Sequence, residues 1–238
     1  MGLNKKRIAE RQQALAKAQK AEKNKKLSNL AGIIAASALG VALLVLLVVI
    51  VIDGTKTNQK NEETEKPQAK DYYADIVIED YGTITLELDG DAAPVTVENF
   101  VKLAKEGFYD GLTFHRIIKG FMMQGGCPNG DGTGDAGKDI VGEFSLNGWD
   151  NPIKHERGVI SMARGNEPDS ASCQFFIVHE TSAQNTASLD GRYAAFGRVT
   201  SGIEIVDQIC NGAKPFNDNG AIAKDSQPVI KSIVIRDK

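Results

Sequence analysis

The residues that carry most covalent and metal chemistry are scarce in this 238-residue chain. It has three cysteines and three histidines, with no C-x-x-C pair and no metal-like spacing among the histidines. Zinc sites in proteins usually draw their ligands from such groupings, so we expect no metal site. The odd cysteine count also means that at least one of Cys127, Cys173 and Cys210 is unpaired within the chain.

Two common catalytic signatures are absent or weak. The nucleophile elbow G-x-S-x-G does not occur. Cys127 or Cys173 is a conceivable nucleophile, but nothing in the sequence pairs either residue with a histidine. A single G-x-G-x-x-G match at 132–137 follows Pro-Asn-Gly-Asp instead of a strand and opens no apolar helix, so we interpret it as a loop. We therefore expect no organic cofactor.

The C-terminal part of the chain has no net positive charge. Residues 1–26 carry nine Lys or Arg against two Glu, and residues 53–71 carry one more acidic than basic residue, so the overall charge of −3 leaves −9 for residues 72–238. Nucleic-acid binding usually requires a positive face. We therefore expect no nucleic-acid partner.

One long apolar run stands near the N-terminus. Residues 30–52 form 23 consecutive residues without a charge. A helix of that length spans a hydrocarbon core of about 30 Å. A cleaved signal peptide is the alternative, but its apolar region is only about 7–15 residues long and a small-x-small cleavage site follows it. Because the run is longer and no such site follows, we predict an uncleaved transmembrane anchor at 30–52.

The flanks of this run predict its orientation. The basic tail, residues 1–29, precedes the anchor, so the N-terminus is expected in the cytoplasm and the C-terminal domain outside the membrane. Contact of the tail with anionic lipid is a second interpretation, and we favour a topology signal alone. Residues 53–71 are polar and lack large apolar side chains, which predicts a flexible linker. Residues 72–238 then form the folded domain.

Short apolar runs separated by glycine-rich turns fill the domain at 72–238, which is typical of a mainly β structure. Eight runs are predicted as strands: 75–80, 82–88, 113–118, 121–124, 158–163, 174–178, 194–199 and 229–235. Two segments have helical spacing instead, 94–106 and 203–210, and the first has Pro94 at its start and Gly107 past its end. This pattern predicts a closed eight-stranded antiparallel barrel capped by two helices.

Four stretches of the domain carry a resemblance to a known family. They read VTVENFVKLAKEGFYDGLTFHR (95–116), TFHRIIKGFMMQGG (113–126), SMARGNEPDSASCQFF (161–176) and LDGRYAAFG (189–197). Their order and content resemble the cyclophilin family of peptidyl-prolyl cis-trans isomerases, in its bacterial form, over nearly all of residues 72–238. The resemblance implies an eight-stranded antiparallel barrel with two helices. It also implies a monomeric enzyme that needs no cofactor and acts on proline-containing unfolded or exported polypeptides.

The chemistry of such an enzyme explains an unusual feature of residues 113–126, a permanent cation beside apolar side chains. Rotation about an X–Pro bond is slow because resonance gives the C–N bond partial double-bond character. A fixed guanidinium that donates a hydrogen bond to the prolyl nitrogen as it becomes pyramidal stabilises the twisted state more than the ground state. Arg116, beside Phe121 and Met122, is the candidate, and arginine suits this task because its fork is rigid and always charged.

The resemblance implies roles for further residues. The catalytic set is Arg116, Gln124 and Phe121. The proline pocket is formed by Phe121, Met122, Phe176 and Leu189. Glutamines that contact the substrate backbone and hold the arginine are Gln124 and Gln174. Backbone hydrogen bonds to the residue before proline come from Ala163, Arg164 and Gly165. A neighbouring pocket is lined by Gly132, and rim positions are His115 and Tyr193. Taken singly, the apolar residues are equally typical of a barrel core, and Arg116 of a surface ion pair; the ordered motif favours the pocket.

The sequence departs from better-known family members at five positions. Ser188 stands where many eukaryotic members carry a tryptophan that holds the drug cyclosporin, and Tyr193 replaces a histidine. Lys119 replaces a proline in the turn before Phe121. Cys127 replaces an acidic residue and Cys173 stands at a small-residue position. Outside the membrane both thiols are open to oxidation, and we expect a modest oxidant to lower activity and serine at position 173 to protect it.

These inferences define a membrane-tethered prolyl isomerase that assists slow proline steps in the folding of exported proteins. Two alternatives remain open on the sequence. One is a non-catalytic chaperone or proline-peptide-binding module that uses the same groove, and the other is a tethered adhesion or scaffold domain. The substitution Arg116→Ala distinguishes the enzyme from the binding module. Only an enzyme should lose its acceleration of cis/trans exchange while it stays folded, whereas a binding module should keep its effect on client proteins.

Overall fold

The computed structural model describes residues 70–238. The predicted cytoplasmic tail, the predicted anchor at 30–52 and nearly all of the predicted linker lie outside these residues. Within 70–238, none of the helices has the length and apolar character needed to cross a bilayer.

The domain contains one antiparallel sheet of eight strands, as predicted. The strands are β1 (Tyr72–Ile78), β2 (Gly82–Leu88), β3 (Phe114–Ile118), β4 (Met122–Gly125), β5 (Val159–Met162), β6 (Phe175–Val178), β7 (Ala195–Ser201) and β8 (Ile230–Asp237). Their order in the sheet is β3-β4-β6-β5-β7-β2-β1-β8. Strands β4 and β6 therefore lie side by side although some fifty residues separate them, and this neighbourhood positions the candidate site.

The sheet curls until its two outer strands, β3 and β8, meet, but the contact is local and not a full ladder. A single bridge pairs Thr113 with Val229. Beside this bridge, Ile230 N donates a hydrogen bond to the Leu112 carbonyl at 2.7 Å. Phe114 N donates to the Pro228 carbonyl at 3.0 Å. The prediction of a closed barrel is thus corrected to a curled sheet with a narrow closure between its edges.

Alternation along the strands produces the core. In β2 every second side chain from Ile84 onward faces inward, and Ile84, Leu86 and Leu88 are each 0% exposed. Strand β1 pairs with β2 in a register that sets Ile76 opposite Ile84. Because side chains alternate between the two faces of a strand, this register directs the apolar face of both strands into the curled sheet.

Aromatic rings fill the centre of the core. Phe175 makes edge-to-face contacts with Phe100, Tyr109 and Phe114 at centroid distances of 5.5, 5.6 and 6.0 Å. Such T-shaped pairs are favourable beyond the apolar area that they bury. The hydroxyl of Tyr109 is buried with the ring and donates a hydrogen bond to the carbonyl of Cys173 at 3.0 Å. The start of β6 is therefore fixed to the core by both packing and a polar contact.

Within residues 70–238, three α-helices accompany the sheet: α1 (Pro94–Lys105), α2 (Ala183–Leu189) and α3 (Ile203–Gly212), with short 3-10 turns at Ser145–Asn147 and Lys224–Ser226. Helices α1 and α3 are the two predicted ones, and they pack against β8 and β2 respectively. Helix α2 was not predicted. Its segment has one large apolar residue, Leu189, so it lacks the periodic apolar pattern that identifies a helix in a sequence.

The N-terminus of α1 is capped by a buried carboxylate from a distant loop. The residue before the helix, Ala93, offers no side-chain acceptor. Glu143, which is 0% exposed, instead accepts hydrogen bonds from Val95 N at 2.9 Å, Thr96 N at 2.8 Å and Thr96 Oγ1 at 2.6 Å. The carboxylate satisfies amides that a helix start leaves unpaired, and its charge suits the positive end of the helix dipole. Glu143 thus ties α1 to the loop that precedes β5.

We expect Glu143→Gln to lower the free energy of unfolding by about 2 kcal/mol, because an amide offers one acceptor oxygen and sets a donor group against the helix amides. The measurement is urea unfolding of the full chain followed by circular dichroism. Glu98→Gln, on an exposed site of the same helix, is the matched control and should change stability by less than about 0.5 kcal/mol. Equal midpoints for the two variants would contradict the capping role.

Candidate active site

The candidate site is built around Arg116 in the middle of β3. Arg116 pairs with Gln124 across the β3–β4 ladder, and its half-buried side chain lies on the face opposite to Ile117, which is 1% exposed in the core. Alternation along the strand therefore places the cation outside the main core but against the sheet. The predicted juxtaposition of a cation with an apolar wall has a simple origin in this register.

Two acceptors fix the guanidinium. Nη1 of Arg116 donates to Oε1 of Gln124 at 3.2 Å, and Nε donates to the backbone carbonyl of Asn219 at 2.8 Å. Nη1 also lies 3.8 Å from Sδ of Met122. Burial lowers the pKa of Arg116, while the proximity of Tyr193 opposes this shift. Because the arginine pKa starts above about 12, the side chain stays charged at neutral pH.

A relay of amide groups holds Gln124 in turn. Its Nε2 donates to Oε1 of Gln174 at 3.0 Å. Nε2 of Gln174 donates to the carbonyls of Gly132 at 3.0 Å and Gly134 at 2.8 Å. The predicted role of both glutamines in holding the arginine has its counterpart in this chain of hydrogen bonds, which runs from the 132–134 loop to Arg116.

A cavity of about 270 Å³ lies beside the guanidinium, and we name it the Arg116 cavity. It is lined by Arg116, Phe121, Met122, Gln124, Ala163, Arg164, Phe176, Ser188, Leu189 and Tyr193. The structure thus brings together nine of the thirteen predicted site residues, from four separate stretches of sequence, and adds Ser188. Pockets of this kind bind small apolar groups with a few fixed polar contacts.

The apolar wall of the Arg116 cavity is distinct from the main core. Met122, Phe176 and Leu189 are 1%, 4% and 6% exposed and belong to a second, smaller apolar cluster. The ring of Phe176 meets Tyr193 edge to face at 5.9 Å. Its other side stacks on His155, with centroids 6.0 Å apart and planes inclined by 17°. Contacts on two sides therefore hold Phe176 in one orientation.

His155 is itself locked by hydrogen bonds that the sequence did not reveal. Its Nδ1 lies 2.9 Å from Oδ1 of Asp190, and its Nε2 lies 2.9 Å from Oγ of Ser161. Burial lowers the pKa of His155, and Asp190 partly opposes the shift. This hydrogen-bonded arrangement of Ser, His and Asp is the same as in the catalytic triad of serine hydrolases. Ser161 is 0% exposed, however, and lines neither this cavity nor its neighbour, so the three residues support Phe176 instead of serving as a nucleophile.

A second cavity, also of about 270 Å³, adjoins the first, and we name it the Gly132 cavity. Its lining includes the predicted residues Gly132, Gly165 and Gln174 together with Thr133 and Cys173. The two cavities share three lining residues: Gln124, Ala163 and Arg164. The predicted site therefore separates into two compartments, one apolar beside Arg116 and one bounded by the glycine-rich loop.

The side chain of Arg164 contacts neighbouring aromatic rings and a backbone carbonyl. Its guanidinium lies over the rings of Tyr193 and Phe144 at 4.8 and 5.2 Å from the centroids, and its Nε donates to the carbonyl of Arg192 at 2.8 Å. Such cation–π contacts orient the Tyr193 ring. The backbone N–H of Ala163 donates a hydrogen bond to the carbonyl of Gln174 at 2.8 Å. Of the predicted backbone donors at 163–165, Ala163 is thus engaged in the fold.

His115 lies apart from the Arg116 cavity. It is 4% exposed and does not line that cavity, and a Cβ on Gly132 would lie 3.4 Å from its Nε2. Burial and the nearby positive charge of Arg116 lower the pKa of His115, so the ring is neutral near pH 7. Its predicted contact with substrate stays a prediction, and its contact in this structure is with the loop of the second cavity.

The site combines an apolar cavity with a fixed cation at the surface of a curled antiparallel sheet. Residues 73–236 match the model of the family described as cyclophilin type peptidyl-prolyl cis-trans isomerase/CLD. The chain belongs to this family and is a peptidyl-prolyl cis-trans isomerase.

Individual relatives agree with this assignment. The chain is 50% identical over 137 residues to peptidyl-prolyl cis-trans isomerase B of Bacillus subtilis, covering 58% of this chain and 90% of that protein. A peptidyl-prolyl cis-trans isomerase of Helicobacter pylori is 46% identical over 150 residues, covering 62% and 86%. The crystal structure of a Cryptosporidium parvum cyclophilin type isomerase in the presence of the dipeptide Ala-Pro superposes with a TM-score of 0.59 at 29% identity, covering 70% of this chain and 99% of that one.

The second anchor of Arg116, the Asn219 carbonyl, was missed by sequence reasoning, because a backbone acceptor leaves no residue-type signal. The loop that presents it is ordered by Asn217. Its Oδ1 accepts from Ala221 N at 3.0 Å, and its carbonyl accepts from Gly220 N at 3.1 Å. The carbonyl of Gly220 in turn accepts from Ile117 N at 2.8 Å. The segment Asn-Asp-Asn-Gly at 217–220 is typical of a turn, and this was the available signal.

We expect Asn217→Ala to lower kcat of the full chain about tenfold with little change in peptide affinity, because the loop loses the contact that aims the Asn219 carbonyl at Arg116. The measurement is exchange spectroscopy of an X–Pro peptide over a range of peptide concentrations. Asp218→Ala, at the exposed tip of the same turn, should leave kcat unchanged. Equal kcat values for both variants would remove Asn217 as a positioning residue.

Proposed function

We propose that this isomerase accelerates rotation about X–Pro bonds by donating a hydrogen bond from Arg116 to the prolyl nitrogen while the ring occupies the Arg116 cavity. The observation that carries the proposal is the position of the guanidinium, tied to Gln124 and Asn219 at the edge of a wall made by Met122 and Phe176. A group held in this way needs no rearrangement when the charge distribution of the amide changes.

The donors of Arg116 are sufficient for this task. A guanidinium has five N–H groups. The contacts to Gln124, Asn219 and Met122 involve only Nε and Nη1. Both N–H groups of Nη2 therefore remain for a ligand. In the planar amide the nitrogen lone pair is delocalised into the carbonyl, and it becomes an acceptor only as the bond twists. The hydrogen bond thus strengthens toward the transition state, which is the condition for acceleration.

The apolar wall selects the group that is held next to the cation. A pyrrolidine ring has no N–H of its own in an X–Pro bond, so it is well suited to the surface formed by Phe121, Met122, Phe176 and Leu189. The Gly132 cavity lies alongside and is suited to a flanking residue of the same peptide. The Cryptosporidium parvum isomerase was crystallised in the presence of the dipeptide Ala-Pro, which supports a proline-containing ligand for this chain.

We expect Arg116→Ala to lower kcat/KM of the full chain by about 10²–10³, because it removes a preorganised donor to the reacting amide. Arg116→Lys should also lose most of the activity, since a lysine keeps the charge but not the fork. The measurement is cis/trans exchange of a short X–Pro peptide, with circular dichroism to verify folding.

Arg198→Ala is the matched control, because Arg198 is an exposed arginine on β7 and lines neither cavity. It should retain full activity. Undiminished exchange in a folded Arg116→Ala protein would exclude the arginine mechanism. If exchange were undiminished while the protein still suppressed client aggregation, the non-catalytic chaperone role would be favoured instead.

We further propose that the isomerase domain is anchored in the cell membrane by residues 30–52 and faces outward, where it acts on exported polypeptides. The charge-free run, the basic tail before it and the polar segment at 53–71 support this arrangement. Chains emerging from export are unfolded, and their X–Pro bonds isomerise slowly without a catalyst. An outward-facing isomerase close to the membrane meets them at that stage.

We expect external protease to degrade the domain in intact cells from which the wall has been removed, while a cytoplasmic marker protein stays intact. The full chain should also remain in the membrane pellet after an alkaline wash, because a spanning helix is not released by charge disruption. The measurement is immunoblotting of the domain before and after lysis. Protection of the domain in intact cells, or its release by the wash, would contradict the proposed topology.

A further inference from the structure

Two cysteines leave the same end of the β4–β6 ladder. The ladder sets Met122 opposite Val178 and ends with Gly125 opposite Phe175. Cys127 lies two residues beyond Gly125, and Cys173 lies two residues before Phe175, so extending this register past the end of the ladder sets the two cysteines opposite each other. Opposed residues in such a ladder have Cα atoms about 4.5–5.5 Å apart. A disulfide spans Cα separations of about 4.4–6.8 Å.

The segments that carry these cysteines are in contact, although regular pairing has ended. Gly126 has φ +81° and turns the chain just before Cys127, and a Cβ on Gly126 would lie 2.9 Å from the carbonyl oxygen of Cys173. Burial raises the pKa of Cys173 to about 12, and the nearby Cys127 sulfur contributes to the shift. Both thiols are free in this structure. The approach of Gly126 to the Cys173 carbonyl places the two cysteine-bearing segments side by side.

The two sulfur atoms have different surroundings. Sγ of Cys127 accepts hydrogen bonds from Gly132 N at 3.2 Å and Gly134 N at 3.3 Å. Burial by itself raises the pKa of Cys127, but backbone hydrogen bonds from Asp131, Gly134, Gly132 and Asn129 outweigh it and lower the pKa. Cys127 is therefore the better nucleophile and Cys173 the protonated neighbour. This asymmetry is typical of an attacking and a resolving cysteine.

The route proposed for a small oxidant is the Gly132 cavity, whose lining includes Cys173 but not Cys127. Cys173 lines that cavity, and so do Gly132 and Gly134, whose amides contact the Cys127 sulfur. The cysteine residues themselves are only 1% and 0% exposed. Access is thus restricted to molecules small enough to enter a cavity of about 270 Å³, which favours a peroxide over a protein disulfide.

We propose that hydrogen peroxide converts Cys127 and Cys173 into a reversible disulfide that lowers the isomerase activity. The Cys127 thiolate attacks one peroxide oxygen, the O–O bond breaks, and the leaving hydroxide takes a proton to form water. The Cys173 sulfur then attacks Sγ of the resulting sulfenic acid, its own proton is released, the S–O bond breaks and a second water leaves. Two thiols are oxidised by two electrons in total, and one peroxide is reduced to two waters.

The effect on activity follows from the relay that holds Arg116, so this inference rests on the proposed function. When Sγ of Cys127 bonds to Cys173, it leaves the amides of Gly132 and Gly134. The carbonyls of the same two glycines accept the hydrogen bonds of Gln174, which holds Gln124 and through it Arg116. Displacement of this loop therefore loosens the guanidinium.

The experiment treats the reduced full chain with hydrogen peroxide and follows two readouts. Peptide mapping by mass spectrometry without reductant should show a peptide pair joined through Cys127 and Cys173, and kcat/KM should fall about tenfold. Dithiothreitol should separate the peptides and restore the activity. Absence of the joined pair would overturn the inference, and so would a joined pair with unchanged activity.

Variants assign the effect to the pair. Cys127→Ser and Cys173→Ser should each abolish both the joined peptide and the reversible loss. Cys210→Ser is the matched control: Cys210 lies on α3, is 1% exposed and is free, and its variant should respond like the parent chain. A reversible loss of activity that persists in Cys127→Ser or in Cys173→Ser would refute the pairing. If Cys173→Ser does not fold, Cys173→Ala replaces it.

The two proposals fail in different ways. A reduced chain without isomerase activity would count against the arginine mechanism, and the peptide mapping would still decide whether the disulfide forms. A reduced chain with full activity that never forms the joined pair would count against the cysteine pair alone.

Discussion

The site depends on the way in which the fold holds one guanidinium. Arg116 is fixed from the sheet side by Gln124 and from the loop side by the Asn219 carbonyl, so both the position and the plane of the fork are determined. An unrestrained arginine would lose rotamer entropy on binding and would point its charge into water. Here the ordering occurs when the protein folds, so the proposed donor is held in place by the protein itself.

The second requirement is an apolar wall that does not belong to the core. The sheet achieves this by the alternation of β4 and β6: Met123 and Phe175 face the core, while Met122 and Phe176 form the separate cluster beside the cation. His155 then supports Phe176 from behind through its stacked ring. Thus the same two strands contribute both to the core of the domain and to the wall of the Arg116 cavity.

The glycine-rich loop at 127–134 links the site to its surroundings. Its carbonyls hold Gln174, and its amides hold the Cys127 sulfur. One backbone segment therefore contacts the glutamine relay with its acceptors and the Cys127 sulfur with its donors. Any chemical change at that thiol must compete with the geometry that the relay needs.

Much of the fold was available from the sequence, because local chemistry determines it. Alternating Ile84, Leu86 and Leu88 identify a strand without reference to the rest of the chain, and Pro94 marks a helix start in the same way. The short helix Ala183–Leu189 carries no such periodic signal, so it was missed. The curled sheet with its narrow closure also differs from the closed barrel that a strand count suggests, because the count does not report how its edges meet.

The sequence by itself determined the strand pattern and the family, since these follow from residue type and order, and it predicted the residues of the site. Only the tertiary structure decided what those residues contact. It brought the Asn219 carbonyl to Arg116, placed His115 near Gly132, and set Cys127 near Cys173. Each of these depends on a pairing between segments far apart in the chain, and such pairings are set by register and by backbone groups that every residue shares.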